Sequence, residues 1–133
     1  SQFRMAQRAH IKVSRVDQHH LEGEINHYAG QAWSHKRIFD VHPNQLIIED
    51  FIVAEEVVSS VMYLHCHHNV GTVDLDFEKS KINIAGMQLL ILGAHKIVIE
   101  DIDEALDFNV YVKSKRISIC FEKQIKTIIT WHD

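Results

Sequence analysis

The side chains in this sequence best suited to chemistry near neutral pH are its histidines. Eleven of the 133 residues are His, and imidazole serves both as a metal ligand and as a general acid or base. The densest group is Tyr63-Leu64-His65-Cys66-His67-His68. Side chains alternate along an extended strand, so His65 and His67 are expected on one face, with Cys66 and His68 on the other. Two histidines one residue apart can chelate a divalent metal, which makes His65 and His67 the candidate metal ligands. The same residues at a strand end serve equally well as partly exposed, hydrogen-bonded histidines, and the working expectation is no cofactor.

The second constellation is His27-Tyr28 with His35-Lys36-Arg37. If their strands are neighbours, imidazole, phenol and guanidinium converge on one groove, where they can take a proton, return one and neutralise an anion. Other residues are less directive. Asp74-x-Asp76 and Asp101-x-Asp103-Glu104, the latter read as a turn, have no EF-hand spacing and fit a solvated acidic face. Trp33, Trp131, Tyr28, Tyr63 and Tyr111 could stack on sugar rings but serve a β core equally well. No Gly-x-Ser-x-Gly, P-loop or Gly-x-Gly-x-x-Gly occurs, so hydrolase triads and nucleotide sites have no support.

Strands must position these groups. No stretch of twelve or more residues shows a helical apolar stripe, and β-branched residues dominate the apolar set. Period-2 alternation runs through Leu21-His27, Trp33-Phe39, Val73-Phe77, Ile82-Ile84, Ile97-Ile99, Phe108-Val112, Ile117-Phe121 and Thr127-Trp131. Turn signals separate the runs at Ala29-Gly30, His42-Pro43-Asn44, Asn69-Val70-Gly71, Ala85-Gly86 and Leu92-Gly93-Ala94. About ten short strands imply an all-β chain, an antiparallel sandwich or open barrel. Leu46-Ile48 with Phe51-Val53, and Leu89-Leu92, are apolar on both faces. They fit central strands, or a sheet whose outer face docks on a neighbouring domain.

A chain of this length, 46% apolar and 24% charged, is one ordinary domain, residues 1–133. No apolar run is long enough to span a membrane as a helix. Two cysteines, Cys66 and Cys120, cannot build a disulfide scaffold and read as buried free thiols. The net charge of −4 argues against nucleic acid as a partner. Charge is uneven, however. Arg4, Arg8, Lys12 and Arg15 make the first sixteen residues basic, whereas Glu100–Asp107 holds five acids in eight. A polyanion would be attracted to the first region and repelled by the second.

Phe3-Arg4-Met5-Ala6-Gln7-Arg8-Ala9, then His27-Tyr28, His35-Lys36-Arg37-Ile38-Phe39 and Leu46-Ile47-Ile48-Glu49-Asp50, resemble in order and spacing the C-terminal β-domain of the heparinase II/III family of polysaccharide lyases. The closing Ile119-Cys120-Phe121 and Thr127–Trp131 are similar to the last strands of such domains. Departures exist. The family tends to read His-x-Gly-Tyr and His-Arg-Arg, whereas here Lys36 stands for the first Arg. The family's histidine falls on Ile25, and His27 lands where glycine should be. His68 replaces the proline of a His-x-His-Pro strand end.

The resemblance implies a supersandwich-like β-domain, the C-terminal fragment of a longer protein. A beginning at Ser1-Gln2-Phe3 without an initiator Met fits that expectation. A polysaccharide lyase removes the proton α to a uronate carboxylate and expels the O4 leaving group, so it needs a base, an acid and a group that neutralises the developing enolate. In the family, much of that set comes from an N-terminal α/α toroid, the implied partner domain. The zinc ligands of some members sit in His-x-Asp, Asp-x-Gly and His-Asn-Thr motifs, none of which is in this sequence.

The resemblance thus implies a fragment inactive alone. His27, Tyr28, His35 and Arg37 are its candidate catalytic or supporting residues, and Arg4, Arg8, Lys36 and Arg37 its candidate contacts to an acidic polysaccharide. It further implies a bacterial protein of capsule or surface-polysaccharide metabolism, periplasmic or associated with the cell envelope. Two alternatives stay open: a non-catalytic carbohydrate-binding or packing module, and a cupin-like metal-binding barrel centred on His65 and His67, with His95 as third imidazole.

Overall fold

The computed structural model of the chain describes residues 10–26 and 33–132. Among the described residues, nine antiparallel strands form one hydrogen-bonded sheet: β1 (His10–Val16), β2 (His20–Asn26), β3 (Trp33–His42), β4 (Gln45–Ala54), β5 (Ser60–His65), β6 (Val73–Asp76), β7 (Lys81–Ile84), β8 (Met87–Asp107) and β9 (Val110–Trp131). Their order is β1-β2-β3-β4-β9-β8-β7-β6, with β5 paired to β9 off this path. No helix occurs among the described residues, as the absence of a 3.6-residue stripe and the weight of Ile and Val require.

Local chemistry sets the hairpins. Pro43-Asn44 turns β3 into β4, with Asn44 at φ 60°. Ala85 and Gly86 both take positive φ, 49° and 76°, between β7 and β8, the pattern of a type I′ turn whose twist matches that of its strands. Phe108-Asn109 turns β8 into β9, with Asn109 at φ 57°. Phe108 is therefore a turn residue, 87% exposed, rather than the first inward residue of a strand.

The largest departure from the sequence reading lies at Leu92-Gly93-Ala94, where no turn forms. β8 continues through this segment for 21 residues, and register irregularities fall between Leu92 and Ala94 and between Ala94 and Lys96. Gly93 makes this passage possible. Its φ is 103°, and a Cβ there would stand 2.9 Å from the Gln124 carbonyl oxygen, a contact no side chain tolerates.

Below the irregularity β9 pairs with β4, through Gln124–Thr130; above it β9 pairs with β5, through Arg116–Phe121. One long hairpin thus serves both halves of the sheet. Met62, Ile97, Ile117 and Ile119 from the upper half meet Ile82, Ile84, Leu89, Ile91 and Ile125 from the lower half in a single core. The sheet folds onto itself, as the expected sandwich does. Burying each such Ile side chain contributes about 1.5–3 kcal/mol. Both cysteines are free; Cys66 is buried and Cys120 half-buried.

The acid-rich segment also sits differently from the expectation. Asp101, Asp103 and Glu104 lie on β8, not in a turn. Lys115 pairs with Asp101, and Lys113 with Asp103 at 2.6 Å. Arg116 and Ser118 donate to Glu100 at 2.8 and 2.9 Å. Much of the acidity is therefore neutralised across the hairpin, which weakens the field expected to repel a polyanion.

Candidate functional site

Register dictates which side chains share a face. Gly23 stands opposite Arg37 and Ile25 opposite His35 across β2–β3. Across β3–β4, Arg37 stands opposite Asp50 and His35 opposite Ile52. Asp50 then stands opposite the core residue Ile125 of β9. His35, Arg37 and Asp50 therefore occupy the face that continues the core, while Lys36 points to the other side.

Asp50 is the pivot. It is 1% exposed, a position no carboxylate holds without partners. His35 Nε2 donates to Asp50 Oδ1 at 2.7 Å, and Arg37 Nε donates to the same oxygen at 2.6 Å. Arg37 Nη2 reaches Asp50 Oδ2 at 3.3 Å. Burial pushes the Asp50 carboxyl up, but the hydrogen bonds from His35 and Arg37 outweigh it and hold the group below the usual carboxylate range.

This arrangement has a chemical consequence. Spending Nε2–H on Asp50 leaves His35 Nδ1 directed away from the carboxylate, and the Arg37 fork keeps Nη1 unspent. Both side chains remain about a third exposed, at 30% and 38%. They line a groove of about 340 Å³ with Ile11, Val13, Leu21, Gly23, Glu24, Ile25 and Phe39. Gly23 leaves room in the groove: among the described residues beyond its chain neighbours, a Cβ there would meet only the Lys12 carbonyl oxygen within 4 Å, at 3.9 Å. An apolar wall with an oriented imidazole and guanidinium suits a ligand that has both a ring face and an anionic group.

The opposite face carries a separate chain of charges. Lys36 Nζ pairs with Glu22 Oε1 at 2.5 Å. His20 donates from Nδ1 to Asp40 at 2.5 Å and from Nε2 to Glu22 at 3.3 Å. Asp40 first and Glu22 next raise the His20 pKa above its ordinary value. The structure thus brings His35 and Arg37 together and puts Lys36 elsewhere. His27, Tyr28, Arg4 and Arg8 lie outside the described residues.

His65 and His67 do not share a strand face. β5 ends at His65, and His67 lies beyond it, its Nδ1 accepting the Asn69 amide at 3.2 Å. His67 and His68 stack at 4.0 Å between ring centroids, and His68 Nδ1 meets Glu104 at 3.3 Å. Among the described residues no group of three or more His, Cys, Asp or Glu side chains could hold a metal ion. Asp50 is the site residue that sequence reasoning missed. Its signal was a carboxylate on a strand face that is otherwise apolar, shared with Leu46, Ile48, Ile52 and Ala54.

Together these features define an all-β domain of folded-over sheet, with a groove across β1–β3 that presents the His35 and Arg37 side chains held by Asp50. Solved structures share the fold. A heparinase III matches with TM-score 0.71 at 14% identity, over 90% of this chain and 21% of that chain. Heparan sulfate lyase HepC from Pedobacter heparinus matches with TM-score 0.72 at 11% identity, with the same shares. The likeness read from the sequence therefore holds at the level of the fold, and the chain spans about a fifth of the length of these lyases. No protein-family model and no curated protein matches the chain.

Proposed function

We propose that this chain is the C-terminal β-domain of a heparinase II/III-like polysaccharide lyase, and that it supports binding or β-elimination of an acidic polysaccharide without being active alone. The observation that carries this reading is the His35–Asp50–Arg37 arrangement in an open groove, on a fold shared with heparan sulfate lyases. Arg37 supplies the charge that meets a uronate carboxylate or a sulfate. His35, held by Asp50, offers a second polar contact, and the apolar wall takes the face of a pyranose. The proton-transfer groups come from a second domain of the full-length protein, so these side chains act by orienting substrate.

The test is a β-elimination assay that follows ultraviolet absorbance of the unsaturated product. The full-length protein containing this chain is expected to form product, and residues 1–133 by themselves none. His35→Ala and Arg37→Ala in the full-length protein each lower kcat/KM about tenfold or more, the loss expected when a charge-assisted contact goes. Unchanged kcat/KM in both variants would remove the groove from the reaction. Product from the isolated chain would overturn the supporting role.

A further inference from the structure

Strand parity divides the upper half of the sheet into two faces. Met62, Ile97, Ile117 and Ile119 point into the core, so Tyr63, Glu100, Arg116 and Ser118 emerge on the other face. Tyr63 stands opposite Ser118, and Glu100 opposite Arg116. The four side chains are tied together. Arg116 Nε and Nη2 both reach Glu100 Oε2 at 2.8 Å, and Ser118 Oγ donates to the same oxygen at 2.9 Å. The Arg116 guanidinium also lies over the Tyr63 ring, 4.6 Å from its centroid. Ser118 is only 6% exposed, which makes its hydroxyl a fixed anchor, whereas Tyr63 stays 50% exposed. Three donors on one oxygen leave Glu100 Oε1 with no partner among the described residues, and Arg116 Nη1 is equally unspent. Ser118 first and Arg116 next hold the Glu100 carboxyl below its ordinary range, so it remains an acceptor at neutral pH.

We infer that this outer face is a binding site for an uncharged saccharide, with the Tyr63 ring taking the face of one sugar and the Glu100–Arg116 pair taking two adjacent hydroxyls. The pair sets one free acceptor beside one free donor. That matches a vicinal diol, in which one hydroxyl gives a hydrogen bond and its neighbour accepts one. The two charges cancel, so no net local charge draws an ionic ligand. A uronate carboxylate would instead meet the Glu100 carboxylate and be repelled. The β1–β3 groove has the opposite bias, because its Arg37 keeps a guanidinium N–H directed at an anion.

Ser118 and Arg116 already hold Glu100 in place, so binding orders few side chains and loses little entropy. A sheet face with an exposed ring suits a flat, β-linked glucan, whose equatorial hydroxyls leave the pyranose faces apolar. This inference does not depend on the lyase reading.

NMR titration of residues 1–133 with cellohexaose tests it. The expected result is a set of shifts at Tyr63, Glu100, Arg116 and Ser118, with none there when a uronate-containing oligosaccharide is added. Tyr63→Ala and Glu100→Ala each raise the dissociation constant about tenfold or more. Tyr111→Ala, which removes another exposed ring, leaves it unchanged. No shifts at these residues with cellohexaose, equal shifts with the uronate, or undiminished binding in Tyr63→Ala would each overturn the proposal. The titration of the parent protein needs no substitution, so it decides even where a variant folds poorly. Shifts at Gly23, His35 and Arg37 report the groove separately, so either site can fail without the other.

Discussion

Arg37 and Asp50 face each other across the β3–β4 ladder, and Arg37 Nε donates to the buried Asp50 Oδ1 at 2.6 Å. The carboxylate has no water to fall back on, so its partners determine whether it can be there at all. Asp50→Asn keeps the shape but loses the charge that two donors converge on. It lowers unfolding free energy by about 2–3 kcal/mol, the worth of hydrogen bonds to a charged group. Urea unfolding followed by circular dichroism measures this. A variant as stable as the parent would show that the convergence contributes nothing to folding.

The same group sets an acid limb. Its folded pKa lies below the ordinary value of 3.8, so its contribution is fully present above that pH. It is lost as pH falls through the lower folded value. The parent therefore loses stability on acidification below about pH 4, and Asp50→Asn loses less over the same window. Parallel pH-dependent melts of the two proteins check the sign.

His20 works in the opposite direction. Its pKa is raised above 6.5 by Asp40 first and Glu22 second, so its contribution is fully present below that value. It declines as pH rises through the folded value. Proton NMR should place the His20 titration above the ordinary range, and Asp40→Asn should bring it back down. A His20 resonance that titrates identically in both proteins would contradict the network.

Strand content, the antiparallel class and the two turns at Pro43-Asn44 and Ala85-Gly86 were legible, because each rests on local chemistry that a short window contains. The unbroken β8 was not, since Gly93 reads equally as a turn signal and as a bend. Only the Gln124 carbonyl, thirty-one positions away, decides between them. The site divides in the same way. His35 and Arg37 at i and i+2 announced a shared face, but Lys36 between them belongs to the other side by that same alternation. Asp50 became visible only when the register put it opposite Arg37.

Gly93 and Gly71 form a controlled pair. Both have positive φ, 103° and 75°, but a Cβ at Gly71 meets nothing within 4 Å, whereas at Gly93 it meets backbone. Gly71→Ala costs about 1 kcal/mol for the left-handed conformation alone. Gly93→Ala adds the steric clash and costs more, about 2–4 kcal/mol. Thermal melts that rank the two the other way would mean that β8 does not bend where the structure bends it.

The central claim is that the groove across β1–β3 holds an acidic sugar, and Gly23 offers the sharpest way to test it. A side chain at Gly23 has open space and replaces a weak strand residue, so Gly23→Val should fold at least as stably as the parent, by up to about 1 kcal/mol. It also fills the groove opposite Arg37. The measurement is an NMR titration of residues 1–133 with a uronate-containing oligosaccharide, with a neutral glucan of the same length as control. The account predicts shifts at Gly23, His35 and Arg37 with the acidic sugar only, and their loss in Gly23→Val and in Arg37→Ala. Shifts that survive in Gly23→Val, or that map away from β2 and β3, would contradict it.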